Sequence, residues 1–404
     1  MKKHILFLSG GLKIGGVERV LIEYLNNIDR EKYKITLFLM SDFGSDAVLE
    51  PELKKDIQIK YIKNYEIIKQ KEELRKNKKN ILKKIKYSSF LKKEKKISEK
   101  RFVTYLKKIS EPDLIIDFDR SFVKYKKYFQ NIPSIIWIHA SFSEMGKAEY
   151  INIKNYEKTL LKYGKIILVC DEMRKEMSEL YPSLKRKMDV IYNPFNFERI
   201  KAKSIENEDL SVEEKELLKK NYFLSASRID EKQKDFTTLI KAFKLMKNNG
   251  INEKLYIIGS GPDEMKIKDL VNELKLENEV LFLGAKKNPY VWMKNTKLYI
   301  HSSKFEGFGL ILVEAMILDS LVISSDCPVG PKEILENGDS GILFKTGDEY
   351  NLAEVVIKMQ KNNEEILKIK ENMKKHILKY EVKQVLKNFF SIVENLIEDS
   401  KEKK

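Results

Sequence analysis

The sequence predicts an α/β protein made of two doubly wound, Rossmann-like domains that face each other across a cleft, with a helical C-terminus. Three observations carry this. Short, nearly continuous apolar runs of strand length alternate with stretches whose apolar residues recur at helical spacing. The alternation breaks at Asn193-Pro194, passes through a polar, acidic segment of linker composition, and restarts at Phe223. The 404 residues, 42% of them hydrophobic, suffice for two cored domains. The expected division is a first domain over 1–196, a linker over 197–220 and a second domain over 221–381, with a final helix at about 382–404 packing back on the first.

The first array opens with the run Ile5 to Leu8, which ends in Ser9-Gly10-Gly11 and a second pair, Gly15-Gly16. Val17, Val20, Leu21, Tyr24, Leu25 and Ile28 follow at helical spacing, so the order is strand, glycine loop, amphipathic helix. Further runs lie at Ile35 to Met40, Leu114 to Phe118, Ile135 to Ile138, Ile166 to Cys170 and Val190 to Tyr192. Runs this continuous fit parallel strands covered on both faces. In the second array, strands are expected at Phe223 to Ser225, Leu255 to Ile258, Val280 to Leu283, Leu298 to His301 and Leu321 to Ser324. Helices are expected near Asp235 to Met246, Asp263 to Leu274 and Leu310 to Ile317, and from about Leu352 onward. Open sheets of this kind bind ligands beyond the carboxyl ends of their strands, which places the site in the cleft.

Composition narrows the setting. The two cysteines, Cys170 and Cys327, fit neither a disulfide framework nor a cysteine-based zinc site, and a reducing cytoplasm is the expected compartment. The apolar run after Met1-Lys2-Lys3 is shorter than the roughly 7 to 15 residues of a signal-peptide core. No stretch reaches the roughly 18 apolar residues of a membrane span. Between Lys54 and Lys108 there are 21 Lys or Arg against 6 Asp or Glu, which is nearly all of the net charge of +16. Ile81, Leu82, Ile85, Phe90, Leu91, Phe102, Val103 and Leu106 are interleaved with those lysines at helical spacing. That pattern suits peripheral contact with the inner, cytoplasmic face of an anionic membrane, and equally suits solvated helix faces. No nucleic-acid motif accompanies it, so nucleic acid is not an expected partner.

The most informative stretch is Lys304 to Met316. Glu306 and Glu314 stand eight positions apart, close to two helical turns, so both can face one cleft. They bracket Gly307-Phe308-Gly309-Leu310, a glycine turn that opens a helix whose free N–H groups can seat a diphosphate. His139 ends the apolar strand Ile135 to Ile138, at the edge where a parallel sheet presents its ligand groups, whereas His301 reads as structural. Asp117-Phe118-Asp119 has the spacing of a metal-binding pair but follows the strand from Leu114, and reads as a strand end. No metal is expected, because cations and helix N–H groups can supply the positive field that a departing diphosphate needs.

These residues, followed by Val322 to Leu335 with Gly338, Gly341 and Gly347-Asp348, closely resemble the retaining glycosyltransferase family 4 with its GT-B fold and Glu-x7-Glu motif. The resemblance covers most of the chain. Gly15-Gly16-Val17-Glu18-Arg19 is similar to the family's N-terminal loop, whose glycine amides face the donor diphosphate. Ser227-Arg228-Ile229-Asp230 to Lys234-Asp235-Phe236 resembles the Arg and Lys pair that grips the diphosphate and stabilises the leaving group. The spacing departs by one residue from the commonest one, so Lys234 is preferred with Lys232 in reserve. Ile257-Ile258-Gly259-Ser260-Gly261 is similar to the family's strand and Gly-x-Gly turn beside the nucleotide, and Phe282 to Gly284 with Asn288-Pro289-Tyr290 to the segment that cradles the base.

What the resemblance implies is a metal-independent enzyme without a cofactor. It would move a hexose or N-acetylhexosamine from a nucleotide diphosphate sugar, UDP preferred over GDP, to a glycan or polyprenyl-diphosphate-linked acceptor in surface polysaccharide or glycoconjugate assembly. Glu306, His139, Arg228 and Lys234 would act at the reaction centre. Gly15, Gly16, Gly259, Gly261, Gly307, Phe308, Gly309, Leu310 and Glu314 would bind the donor, Glu314 through its ribose. A nucleotide-sugar 2-epimerase of the same fold and a non-catalytic nucleotide-sugar-binding protein are the alternatives.

Overall fold

The computed structural model describes residues 2–76, 80–141 and 153–402. Two all-parallel sheets organise them. The first contains β1 (Lys3–Ser9), β2 (Tyr33–Ser41), β3 (Gln58–Lys63), β4 (Leu114–Asp117), β5 (Ser134–Ile138), β6 (Lys165–Leu168) and β7 (Met188–Val190), in the order β3-β2-β1-β4-β5-β6-β7. The second contains β8 (Tyr222–Ala226), β9 (Lys254–Ile258), β10 (Val280–Gly284), β11 (Leu298–His301), β12 (Val322–Ser325) and β13 (Ile342–Phe344), in the order β10-β9-β8-β11-β12-β13. Each sheet reverses its strand order once, between β1 and β4 and between β8 and β11. The two-sheet GT-B architecture expected from the resemblance is the one observed.

Two local differences have physical causes. The basic stretch begins with a strand, β3, that had not been expected: of Gln58-Ile59-Lys60-Tyr61-Ile62-Lys63 only Ile62 is buried, which suits an edge strand only partly covered. Beyond it the expected basic helices do form, at Tyr65–Lys76 and Ile81–Lys108, while residues 77–79 lie outside the described part of the chain. The second helix is moored by Phe102, fully buried among Phe38, Phe122 and Tyr125, and by Glu94, which pairs with Lys63 at 2.7 Å and Lys71 at 3.3 Å. Finally, the polar segment after Asn196 is not irregular but holds two short helices, Phe197–Lys203 and Val212–Leu218. Asn196 caps the first, and a Ser211/Glu214 capping box opens the second.

The last helix, Val382–Glu402, lies on the first sheet's side of the molecule. Phe389 packs on Tyr24 and Trp137 with ring centroids 5.3 and 5.9 Å away, Phe390 stacks on Tyr33 at 4.4 Å, and the Tyr33 hydroxyl donates to Glu394 at 2.7 Å. The chain reaches that position through a backbone exchange: Phe195 N–H donates to Tyr380 C=O and Val382 N–H to Phe195 C=O.

A second cross-connection joins helix starts. The Asp171–Leu180 helix has no side-chain cap of its own at Cys170. Its first amides, from Asp171 and Glu172, donate instead to the Glu333 carboxylate at 3.2 and 3.0 Å. In return Glu172 accepts from Gly330 N–H at 2.7 Å, at the start of the Pro331–Ile334 helix, and Tyr192 donates to Glu333 at 2.8 Å. Each side thus neutralises orphan N–H groups on the other. Glu333→Ala is expected to lower stability by about 1–2 kcal/mol in urea denaturation, the usual worth of a cap, and to enlarge the radius of gyration in small-angle scattering. Wild-type values in both would show that these caps do not hold the two sides together.

Candidate active site in the cleft

The polar groups collect where each sheet reverses. After β1 comes the Gly10-Gly11 loop, after β4 Asp119, and after β5 His139; on the other side Arg228 follows β8, Gly259 follows β9 and His301 ends β11. This is the edge at which doubly wound sheets take ligands. The two edges meet at glycines. A Cβ on Gly307 would lie 2.3 Å from the His139 carbonyl oxygen, and one on Gly16 2.8 Å from Leu310 Cδ1. Gly307 is therefore required by backbone of the first domain, which takes the space that sequence reasoning had kept for a ligand. Gly259 and Gly261 are likewise filled from within: their Cβ atoms would fall 1.9 Å from Ser227 C=O and 2.1 Å from Ile229 C=O. Those glycines seat the loop carrying Arg228. Gly309, at φ 99°, supplies the left-handed residue that starts the Leu310–Ile317 helix, with Phe308 buried beside it.

Glu306 is the most constrained carboxylate. It is buried, and Oε1 accepts from Lys234 Nζ, from His301 Nε2 at 2.8 Å and from the Ser303 hydroxyl at 2.6 Å. Burial alone would raise its pKa, but the Lys234 charge and the His301 hydrogen bond outweigh that and hold it well below the usual carboxylate range. Glu306 is thus a fixed negative charge and an acceptor, not a proton donor. His301, read from sequence as structural, belongs to this cluster. The signal was available: it ends β11 at the carboxyl edge just as His139 ends β5. Burial lowers the His301 pKa, so the ring is neutral and donates through one nitrogen.

The cations divide clearly. Lys234 lies on Glu306, while Lys232 is exposed with its amide on Asp230. Arg228 is largely exposed, its guanidinium on Asp230 at 2.7 Å. Glu314, about one turn along the Leu310–Ile317 helix, accepts from the Tyr290 hydroxyl at 2.8 Å. Burial raises its pKa, against the pull of the Tyr290 hydrogen bond and of Arg199.

On the facing edge, the His139 ring lies against Trp137 and Phe118, and its Nε2 donates to Phe118 C=O at 2.8 Å. Burial lowers its pKa to about 4, so at neutral pH Nδ1 carries no proton and can accept. Gly15, extended at the start of the Gly16–Asn27 helix, has the Glu18 carboxylate folded against it, and Arg19 pairs with Glu52. The two aspartates at the end of β4 are spent internally. Asp119 accepts from Ser9 Oγ at 2.8 Å, Gly10 N–H at 2.6 Å and Ser121 N–H at 3.0 Å, and Asp117 accepts from Tyr163 Oη at 2.9 Å. Among the described residues no group of three His, Cys, Asp or Glu is arranged to hold a metal ion.

Asp117 is fully buried, and that burial together with the Asp119 charge raises its pKa to about 7. The folded state therefore keeps a proton that the unfolded chain releases near pH 4, and stability falls as pH rises from about 4 to about 7. His139 acts in the opposite sense: its depressed pKa makes the folded state lose stability as pH falls from about 6.5 toward 4. Asp117→Asn is expected to gain on the wild type by up to ~4 kcal/mol across pH 4 to 7, read from urea denaturation. Parallel curves would show that Asp117 is ionised throughout. In NMR the His139 ring signals are expected to stay constant from pH 8 down to about 5.

With this geometry in hand, comparisons with known proteins are informative. Residues 206–376 match the family model for glycosyl transferases group 1. An uncharacterized glycosyltransferase of Methanocaldococcus jannaschii is 34% identical over 254 residues, 58% of this chain and 61% of that protein. The N-acetylgalactosamine-N,N'-diacetylbacillosaminyl-diphospho-undecaprenol 4-alpha-N-acetylgalactosaminyltransferase of Campylobacter jejuni is 27% identical over 54% of this chain and 56% of its own. The matches thus span a little over half the length of these relatives. Among solved structures, Anabaena HepE in complex with UDP and glucose superposes with a TM-score of 0.73 at 19% identity, covering 96% of this chain and 99% of that one, and so shares the fold. The segment from Glu206 to His376, which carries Arg228, Lys234, Glu306 and Glu314, is thus similar to the glycosyl transferases group 1 family, on a chain whose fold is GT-B.

Proposed function

We propose that the chain is a retaining glycosyltransferase that moves a hexose or N-acetylhexosamine from a nucleotide diphosphate sugar, UDP in preference to GDP, to a glycan or polyprenyl-diphosphate-linked acceptor. The observation that carries this is the Glu306, Lys234, His301 and Ser303 cluster at the reversal point of the second sheet, facing His139 across a glycine contact. Two relatives support the ligand class. The HepE structure holds UDP and glucose, and the Campylobacter relative is named for a diphospho-undecaprenol substrate.

In this reading Arg228 and Lys234 meet the diphosphate, and the amides opening the Leu310–Ile317 helix add positive field where charge develops. His139 Nδ1 accepts from a hydroxyl of the transferred sugar, while Glu306 holds Lys234 and His301 in place around it. The bond from the anomeric carbon to the diphosphate oxygen breaks, the acceptor oxygen attacks from the same face, and its proton passes to the departing phosphate. Glu306 cannot donate that proton, because its partners keep it ionised. Closure around the donor excludes water, which would otherwise take the acceptor's place. No metal or cofactor enters these steps.

The test is donor cleavage by purified protein in EDTA, over UDP- and GDP-hexoses and N-acetylhexosamines. One donor is expected to be bound and slowly hydrolysed, with Glu306→Ala and Arg228→Ala each lowering the rate by 10²-fold or more, the usual scale for a lost electrostatic group. Epimerised rather than cleaved donor, or binding of none, would overturn the reading.

The acceptor class gives the basic helix a place. Ile81, Leu82 and Ile85 are 74%, 78% and 61% exposed at the start of the Ile81–Lys108 helix, among Lys83, Lys84 and Lys86. No helix among the described residues is long and apolar enough to cross a membrane, so a lipid-linked acceptor would be met at the surface. Co-sedimentation with phosphatidylglycerol vesicles is expected for the wild type, with little on phosphatidylcholine, and is expected to be lost on replacing all three apolar residues by Ser. Equal recovery of wild type and variant on both lipids would remove the membrane role.

A further inference from the structure

Glu314 is reached by side chains that sequence spacing does not connect to it. The Tyr290 hydroxyl donates to Glu314 Oε1 at 2.8 Å, and the Tyr290 ring is buried. The Phe197–Lys203 helix, which carries Arg199, packs against both the Tyr290–Asn295 helix and the Leu310–Ile317 helix, so the Arg199 charge acts on both Tyr290 and Glu314. Its Nη2 also pairs with buried Glu23 of the Gly16–Asn27 helix at 2.6 Å, and its Nε is buried with no partner among the described residues. The same short helix holds the loop that carries Tyr290. Asn288 Nδ2 donates to Lys203 C=O at 2.7 Å, and Asn288 Oδ1 accepts from Tyr290 N–H at 3.2 Å. Glu23, Arg199, Tyr290 and Glu314 form a polar relay from the first domain, through the linker, to the second.

We infer that Arg199 and Tyr290 are positioning residues that hold the Glu314 carboxylate aimed at the ribose diol of the nucleotide, and that their hold depends on the linker helix being seated against Glu23. This rests on the proposed donor reading and deepens it. To accept from two vicinal hydroxyls, a carboxylate must be ionised, with its oxygens fixed in direction. A half-buried carboxylate without cationic help drifts toward the neutral form, which has an O–H of its own to place. Arg199 provides the cation, Tyr290 fixes one oxygen through a single short donor, and Glu23 keeps Arg199 from folding onto Glu314 as a closed ion pair. The other charged groups that act on Glu314 are Arg19, which is engaged with Glu52, and Glu23, whose negative charge opposes the pull of the two arginines.

The test separates ribose recognition from general folding by comparing UDP with 2′-deoxy-UDP in titration calorimetry, with GDP and 2′-deoxy-GDP in parallel. The wild type is expected to bind the ribonucleotide about 10-fold tighter than its deoxy counterpart. Tyr290→Phe and Arg199→Lys are each expected to weaken ribonucleotide binding about 5-fold, the worth of one hydrogen bond, and to change the deoxynucleotide by less than 2-fold. In a Glu314→Ala background neither should have further effect, because they act through that carboxylate. Equal loss on ribo- and deoxynucleotide, or additivity with Glu314→Ala, would overturn the inference while leaving the donor reading standing. So would a wild type that binds UDP or GDP without regard to the 2′-hydroxyl. Failure to bind either ribonucleotide would overturn both.

Discussion

Keeping one buried carboxylate charged constrains a large part of the second domain. Glu306 cannot be ionised in that position unless Lys234, His301 and Ser303 all converge on it, since an unpaired buried charge is far more costly than an unpaired surface one. Those groups come from separate segments: Lys234 from the loop after β8, His301 from the last residue of β11, and Ser303 and Glu306 from the turn that follows. Satisfying the charge therefore fixes the β8 loop relative to the β11 turn. Gln233 Nε2 on Phe305 C=O and Lys304 N–H on Gln233 C=O tie the same two loops through backbone. Arg228 stands on that loop, further braced by the carbonyl contacts at Gly259 and Gly261. The cleft edge is one interlocked unit rather than a set of independent side chains.

Much of this was legible in the sequence, and the exceptions have reasons. Strands such as Ile135–Ile138 and Leu255–Ile258 are buried on both faces and read as unbroken apolar runs. The edge strand Gln58–Lys63 lies inside a lysine-rich stretch and buries only Ile62, so it shows no unbroken apolar run, and β13 has only three residues. In the site, Glu306, Glu314 and His139 stand at positions where spacing and strand ends speak for them. His301 was passed over because a lone histidine in an apolar context is ordinary, and its meaning comes from Glu306 five residues on. Arg199 could not be found by local pattern at all, since it sits in a segment of linker composition. Tyr290 was placed only within the segment similar to the base cradle, and its hydroxyl finds Glu314 only through the packing of two helices.

The glycines taught a similar lesson about direction of inference. Sequence reasoning assigned Gly259, Gly261 and Gly307 to ligand approach, because glycine near a strand end permits it. In the structure the missing side chains make room for carbonyls of the protein itself, at Ser227, Ile229 and His139. Such positions still serve a site, but at one remove: they set the loops that carry the charged groups and bring the two edges within contact distance. A glycine marks where something must come close, and the sequence does not say what.

The docking of the last helix on the first sheet gives the molecule an unusual order of assembly. Phe389 completes an aromatic cluster with Tyr24 and Trp137, and Phe390 covers Tyr33, yet more than 220 residues separate these phenylalanines from either sheet-bound partner's strand or helix. During synthesis from the N-terminus, the first sheet emerges long before its final covering layer. It must wait with Tyr24, Tyr33 and Trp137 incompletely shielded while the entire second domain is made. The second sheet, whose strands all fall between Tyr222 and Phe344, has no such debt and can close on its own chain. Vectorial folding of this chain therefore runs against the usual expectation: the domain translated first is the one finished last.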